Sequence, residues 1–110
     1  MLKSLACVSA ALLGSCAPVS STGIYRTSVE LTIASEKSPR EFAMCVADAF
    51  PDAGRLLNEG EHYWLTRQHG GATFERWDFT PTLTGSIAER RSGQIVGRAG
   101  SGRVRECATR

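Results

Sequence analysis

The sequence predicts a small α+β domain, in which one helix packs on an antiparallel sheet of about four to five strands in the order β-α-β-β-β-β. Two observations favour this fold class. A complete helix-start signal lies near residue 40, and short segments of alternating apolar and polar residues flank it. A run of consecutive strands after one helix is typical of an antiparallel sheet with the helix across one face.

The composition limits the chain to one such domain. It has 110 residues, of which 42% are apolar and 22% are charged, and its formal net charge is +2. These values exclude a multidomain enzyme, a Rossmann or barrel fold, a disordered tail, and a collagen-like or coiled-coil rod.

The helix is the best-defined element. Ser38 is a suitable N-cap, Pro39 occupies the first helical position, and Glu41 completes a capping box. Residues 51–54 (Pro-Asp-Ala-Gly) end it. The apolar residues at helical spacing are Phe42, Cys45, Val46, Ala49 and Phe50.

The other segments are predicted to be strands. One predicted strand, residues 29–33, precedes the helix. The predicted strands after it are residues 62–68, 73–79, 83–89, 94–99 and 103–107. Residues 69–71 close the first hairpin, and Arg90-Arg91-Ser92-Gly93 closes a second, weaker one. Trp64 and Trp77 lie on the first hairpin, where they are either core and cross-strand partners or an exposed patch for a partner.

The N-terminus has the features of an export signal. Met1-Leu2-Lys3 provides a basic start, and an apolar run follows over residues 5–13. This run is shorter than the roughly 20 residues that span a bilayer, so residues 1–15 are predicted to be a signal peptide. A buried N-terminal helix is the alternative.

At the end of that run, the residues Leu13-Gly14-Ser15-Cys16 resemble the lipobox of bacterial lipoproteins. The resemblance covers the first 20 or so residues. It implies that the Cys16 thiol receives a diacylglyceryl group, that cleavage occurs before Cys16, and that the new amino terminus is acylated, for example with palmitate. Two or more acyl chains anchor a protein stably. The alternative is ordinary signal cleavage that leaves Cys16 as a thiol.

The resemblance also implies a location and a domain organisation. Ala17 follows the cysteine, which indicates the outer membrane facing the periplasm. Residues 16–23 are small and polar, so they form a flexible tether. Residues 24–110 then form the domain, whose partners are the membrane, through the lipid, and another envelope protein. Nucleic acid is disfavoured for an exported lipoprotein.

The remaining cysteines predict a disulfide. Cys7 leaves with the signal peptide and Cys16 takes the lipid, so Cys45 and Cys107 are left as a pair in an oxidising compartment. Such a bridge would join the helix to the C-terminal strand. Two buried thiols are the alternative, and the absence of a Cys-x-x-Cys sequence argues against a redox site.

The last third of the chain is basic. Residues 80–110 carry six arginines and two glutamates, whereas residues 23–79 carry six basic and nine acidic residues. Arginine binds carboxylate and phosphate groups, so these arginines are candidates for binding an anion or a partner. A solvated sheet face is the alternative. The candidate residues are Arg90, Arg91, Arg98, Arg103 and Arg105.

No group of residues predicts catalysis, a cofactor or a metal. His62 and His69 are expected on opposite sides of a strand, and residues 97–102 lack the lysine and helix of a P-loop. We therefore expect a non-catalytic binding or accessory module for another envelope component. The alternatives are a binder of anionic envelope molecules, an inhibitor of a cell-wall-acting enzyme, or a phage or plasmid exclusion factor. A small enzyme would need a pocket that holds titratable groups with perturbed pKa values.

Overall fold

A computed structural model describes residues 27–92 and 100–110, which form one antiparallel sheet and two helices. The elements, in chain order, are β1 (Leu31–Ser35), α1 (Pro39–Ala49), β2 (Leu57–Glu59), β3 (His62–His69), β4 (Ala72–Pro81), β5 (Ser86–Ser92) and α2 (Ser101–Thr109). The strand order across the sheet is β1-β5-β4-β3-β2, and every neighbouring pair is antiparallel. The predicted α+β class is confirmed.

Helix α1 begins where the sequence predicts. The Ser38 hydroxyl accepts a hydrogen bond from the Glu41 backbone N–H at 3.1 Å, and the Glu41 carboxylate accepts one from the Ser38 N–H. Phe42 and Val46 face the sheet and are fully buried. The Phe42 ring meets the Phe79 ring edge-on, with 5.2 Å between the centroids. This contact fixes α1 over the centre of the sheet.

Both helices lie on the same side of the sheet. Helix α1 packs against β3, β4 and β5, and α2 packs against β1. The Ser35 hydroxyl donates to the Ala108 carbonyl oxygen at 2.7 Å, which ties the end of β1 to α2. We call the opposite side of the sheet the outer face. Its residues, by register and alternation, include Thr32, Leu57, His62, Trp64, Thr66, Arg76, Asp78, Glu89 and Arg91.

The prediction of a C-terminal strand is wrong. Residues 103–107, expected as a strand, belong to helix α2. Val104, Cys107 and Ala108 are its buried residues, and their spacing of three and four places them on one helical face. The predicted disulfide is present, with a Cys45–Cys107 S–S distance of 2.03 Å. It joins α1 to α2 and not to a strand.

The second hairpin also differs from its prediction. Arg90, Arg91 and Ser92, expected in a turn, continue β5. The reason is pairing: Arg90 lies opposite Trp77 on one side and Leu31 on the other, so the strand remains hydrogen-bonded beyond Glu89. The predicted strand at residues 94–99 lies outside the described residues. Strand β2 was not predicted, because its three residues are all exposed and show no alternation.

Candidate functional site

The outer face carries a buried ionic cluster centred on Asp78. The residue is 1% exposed although neither described helix covers this side of the sheet. Arg76 donates to both of its carboxylate oxygens, Nε to Oδ1 and Nη2 to Oδ2, each at 2.8 Å. His62 Nε2 lies 2.6 Å from Oδ2, and Arg91 Nη1 lies 3.6 Å from Oδ1. The carboxylate therefore contacts side chains from three strands, and the two hydrogen bonds from Arg76 are the charge-assisted ones.

Trp64 stands beside this cluster. The Arg76 guanidinium lies 5.1 Å from its ring centroid, and the His62 ring lies 5.1 Å from it. The indole thus packs against Arg76 and His62, while its side chain stays partly exposed. Trp77 is different, because it is 1% exposed and belongs to the core. One of the two tryptophans is a core residue, and the other is a surface residue of the outer face.

A cleft opens beside Trp64, between the segment that leads into β2 and strand β3. A β-bulge lies at this point, since Arg67 pairs with Glu75 but Gln68 pairs with Thr73, which leaves Phe74 as the extra residue. The bulge keeps Thr73 on the outer face next to Gln68, whose amide nitrogen lies 3.5 Å from the Thr73 hydroxyl. Its lining includes the residues Arg55, Leu57, Trp64, Thr66, Gln68 and Thr73.

A second ionic cluster, centred on Glu75, lies on the side of the sheet that the helices cover. Glu75 is buried and accepts hydrogen bonds from Arg67, at 2.9 Å, and from Arg90. Arg67 also binds both oxygens of Asp52, at 2.8 and 3.1 Å. Arg90 reaches Glu30 at 2.8 Å. These contacts join β3, β4, β5, the residue before β1 and the segment that follows α1.

The charges of this second cluster shift two pKa values. The hydrogen bonds from Arg67 hold the pKa of Asp52 below its usual range. Burial opposes the charge on Arg67, but its hydrogen bonds to Asp52 and Glu75 raise the pKa of the guanidinium overall. The Arg67 guanidinium also lies 4.1 Å from the centroid of the Phe50 ring. This arrangement stabilises the fold and leaves no open anion site at Arg67.

The structure does not gather the predicted arginines into one surface. Arg90 is buried on the helix side, whereas Arg91 lies on the outer face, where its Nε donates to the Thr27 carbonyl oxygen at 3.2 Å. Arg103 donates to the Ala49 carbonyl oxygen at 2.8 Å, next to the end of α1. Arg105 is exposed on α2. Arg98 lies outside the described residues, as do Cys16 and the signal segment.

Neither histidine forms part of a metal site in the described residues, where no group of three or more histidine, cysteine or carboxylate side chains could hold an ion. His62 contacts Asp78, and His69 is exposed at the β3–β4 turn. Within residues 27–92 and 100–110, no helix is both long and apolar enough to cross a membrane.

The sequence contained a signal for the outer-face cluster that the predictions did not use. His62 and Trp64 are two residues apart on one predicted strand, and Arg76 and Asp78 are two apart on the next. The period of a strand places each pair on one side of the sheet. The hairpin register then decides whether the two pairs meet, and the structure shows that they do.

Comparison with known proteins adds no relative. No protein-family model matches the chain, and neither a curated protein nor a solved structure shows significant similarity to it.

Proposed function

We propose that the chain is a small lipid-anchored protein of the bacterial cell envelope, and that it acts as a non-catalytic binding or accessory module for another envelope component. The observation that carries the proposal is the use of the four cysteines. Cys45 and Cys107 are bonded to each other, and Cys7 lies in the apolar run of the signal segment. Cys16, at the end of Leu13-Gly14-Ser15-Cys16, is the sulfur that remains for acylation. Disulfides persist in oxidising compartments, which supports export.

In this proposal the chain has three parts. Residues 1–15 are removed as the signal peptide, residues 16–23 form a tether behind the lipid, and residues 24–110 form the domain. The acyl chains hold the domain at the membrane, so its folded surface is left to bind a partner. Ala17 after the cysteine favours the outer membrane and its periplasmic side.

The outer face is the surface that we assign to binding. Neither described helix covers it, and it presents a partly exposed tryptophan, Trp64, beside Leu57, which is 38% exposed. Aromatic and arginine side chains are enriched at protein interfaces. The contacts of Asp78 with Arg76 and His62 support a structural role for these groups, in which they hold Trp64 in place.

Intact-mass spectrometry of the protein extracted from membranes tests the anchor. We expect a mature chain that starts at Cys16, carries added acyl mass, and is two hydrogens lighter than the reduced form because of the Cys45–Cys107 bond. Cys16→Ser should abolish the acyl mass. A native chain without acyl groups on Cys16 would contradict the proposal.

Site-specific photo-crosslinking in living cells tests the binding surface. A crosslinking amino acid at Leu57 on the outer side is compared with one at Met44 on α1, which is 47% exposed. We expect a discrete envelope protein to crosslink from position 57 and not from position 44. Equal labelling from both positions would mean that the outer face is not the binding surface.

A further inference from the structure

The cleft beside Trp64 combines one apolar wall with neutral hydrogen-bonding groups. Trp64 and Leu57 supply the apolar surface, while the Thr66 and Thr73 hydroxyls and the Gln68 amide supply donors and acceptors. Small-molecule sites have this composition, in which aromatic groups provide contact area and a few polar groups set orientation.

The position of the indole suits a flat apolar ligand surface. Arg76 and His62 pack against Trp64 at 5.1 Å, so the ring is supported before any ligand arrives. The hydroxyl and amide groups lie on the neighbouring pairs of β3 and β4, to one side of the ring. A pyranose ring has the complementary pattern, since it has an apolar C–H face and hydroxyl groups around its edge.

The charge of the cleft favours a saccharide that carries a negative group. Arg55 is its one charged residue, and no carboxylate is among the described residues that line it. Arg55 is exposed, and it forms no ion pair with a described residue. The nearby Asp52 is already bound by Arg67 on both oxygens. The cleft is therefore complementary to a ligand with one negative group.

We infer that the outer-face cleft binds an anionic saccharide unit, with its C–H face on Trp64, its hydroxyl or acetamido groups toward Thr66, Gln68 and Thr73, and its carboxylate toward Arg55. The inference rests on the proposed function for access to envelope glycans, and it adds the class of ligand. It requires no covalent step.

The test compares two sugars that differ by one acidic substituent. N-acetylmuramic acid is N-acetylglucosamine with a lactyl ether that ends in a carboxylate. Each is titrated into the native protein, extracted from cells in detergent, with binding followed by calorimetry and by tryptophan fluorescence. The chain has two tryptophans, and Trp77 is buried, so a change in emission reports on Trp64. We expect N-acetylmuramic acid to bind about fivefold more tightly than N-acetylglucosamine.

Variants assign the contacts. Arg55→Gln should bring the affinity for N-acetylmuramic acid down to that for N-acetylglucosamine. Arg105→Gln, which removes the same charge from the exposed side of α2, should change neither. Trp64→Ala should weaken both by about tenfold or more. Trp64→Phe, which retains an aromatic ring, covers the case in which the alanine variant does not fold, and it should bind both sugars less tightly than the native chain.

Several results would overturn the inference. These are equal affinity for the two sugars, no binding of either, or the same loss from Arg105→Gln as from Arg55→Gln. None of them affects the acyl mass on Cys16 or the crosslinks from position 57. Failure of the saccharide site is therefore distinguishable from failure of the proposed anchor and accessory role.

Discussion

Arg76 and Asp78 lie two residues apart on β4, and the Arg76 guanidinium meets both oxygens of the Asp78 carboxylate at 2.8 Å. The strand period puts the two side chains on the same side of the sheet, where His62 from β3 approaches the same carboxylate. A buried carboxylate is costly unless it is paired and hydrogen-bonded. This pair is what allows a charged residue to be buried on the outer face.

Asp78→Ala should therefore be strongly destabilising. It leaves the Arg76 guanidinium buried without its bidentate partner, and breaking a buried pair costs about 3–5 kcal/mol. Chemical denaturation measures the free energy of unfolding. Glu61→Ala removes a carboxylate at an exposed position and serves as the control. A loss of similar, small size for both variants would show that the Asp78 contacts contribute little to stability.

The disulfide should contribute a large share of the stability. Cys45 and Cys107 are separated by 62 residues in sequence, and closing a loop of that size stabilises the fold by about 4 kcal/mol in the chain-entropy model. The paired variant Cys45→Ser, Cys107→Ser should lower the denaturation midpoint by the corresponding amount. Treatment with a reductant should lower the midpoint of the native chain toward that of the variant and leave the variant unchanged. Equal midpoints for native chain and variant under non-reducing conditions would contradict the prediction.

The Asp52–Arg67 contact should make stability depend on pH in the acid range. The Arg67 hydrogen bonds lower the pKa of Asp52 in the folded state, whereas an unfolded aspartate has a pKa of about 3.9. The stabilisation is present above that pH and is lost as the pH falls through the lower, folded value. Asp52→Asn should be less stable than the native chain at pH 7, and the difference should shrink below pH of about 4.

Thermal melts of both proteins from neutral to acid pH measure this difference. The Arg67→Gln background is the control, because without the guanidinium the Asp52→Asn change should have little effect at any pH. Asp52 is 37% exposed on its side chain, so solvent screening keeps the effect modest. A difference that stays constant through the acid range would contradict the assignment.

Gly100 should tolerate no side chain. Its φ is +104°, and a Cβ there would lie 2.7 Å from Phe50 Cε1 and 3.1 Å from Arg67 Nη1. Gly100→Ala should cost about 1–3 kcal/mol through backbone strain and overpacking. Gly102 is the matched control, because it lies within α2 and a Cβ would meet nothing within 4 Å. Gly102→Ala should stabilise the protein by about 0.5–1 kcal/mol. Equal effects of the two alanines would show that the packing around Gly100 adjusts freely.

The parts of the fold that were predicted are those with local signals. Helix α1 has a capping box and a long apolar stripe, both of which act within a few residues. Helix α2 lacks a side-chain N-cap and follows Gly100, so the sequence has no helix-start signal there and predicts a strand over residues 103–107. The spacing of Val104, Cys107 and Ala108 fits a helix, but nine residues are too few for periodicity to decide between the two.

The second ionic cluster, around Glu75, was not predictable in the same way, because its partners come from different strands and from the segment after α1. Glu75 and Arg90 meet only once β4 and β5 are paired in the observed register. A shift of one residue would move Arg90 to the outer face. The basic residues of the last third are predicted either to bind an anion or a partner or to form a solvated sheet face, whereas the structure divides those it describes between the two sides of the sheet and α2.

The Cys45–Cys107 bond also bears on how the domain responds to proteolysis. Most of the described domain lies between these two residues, so one cut there would open the polypeptide without separating its pieces. The nicked molecule would run as a single band without reductant and as two with it. The two fragments of such a molecule stay linked, so the core contacts between them can form again. This slows further digestion of the domain.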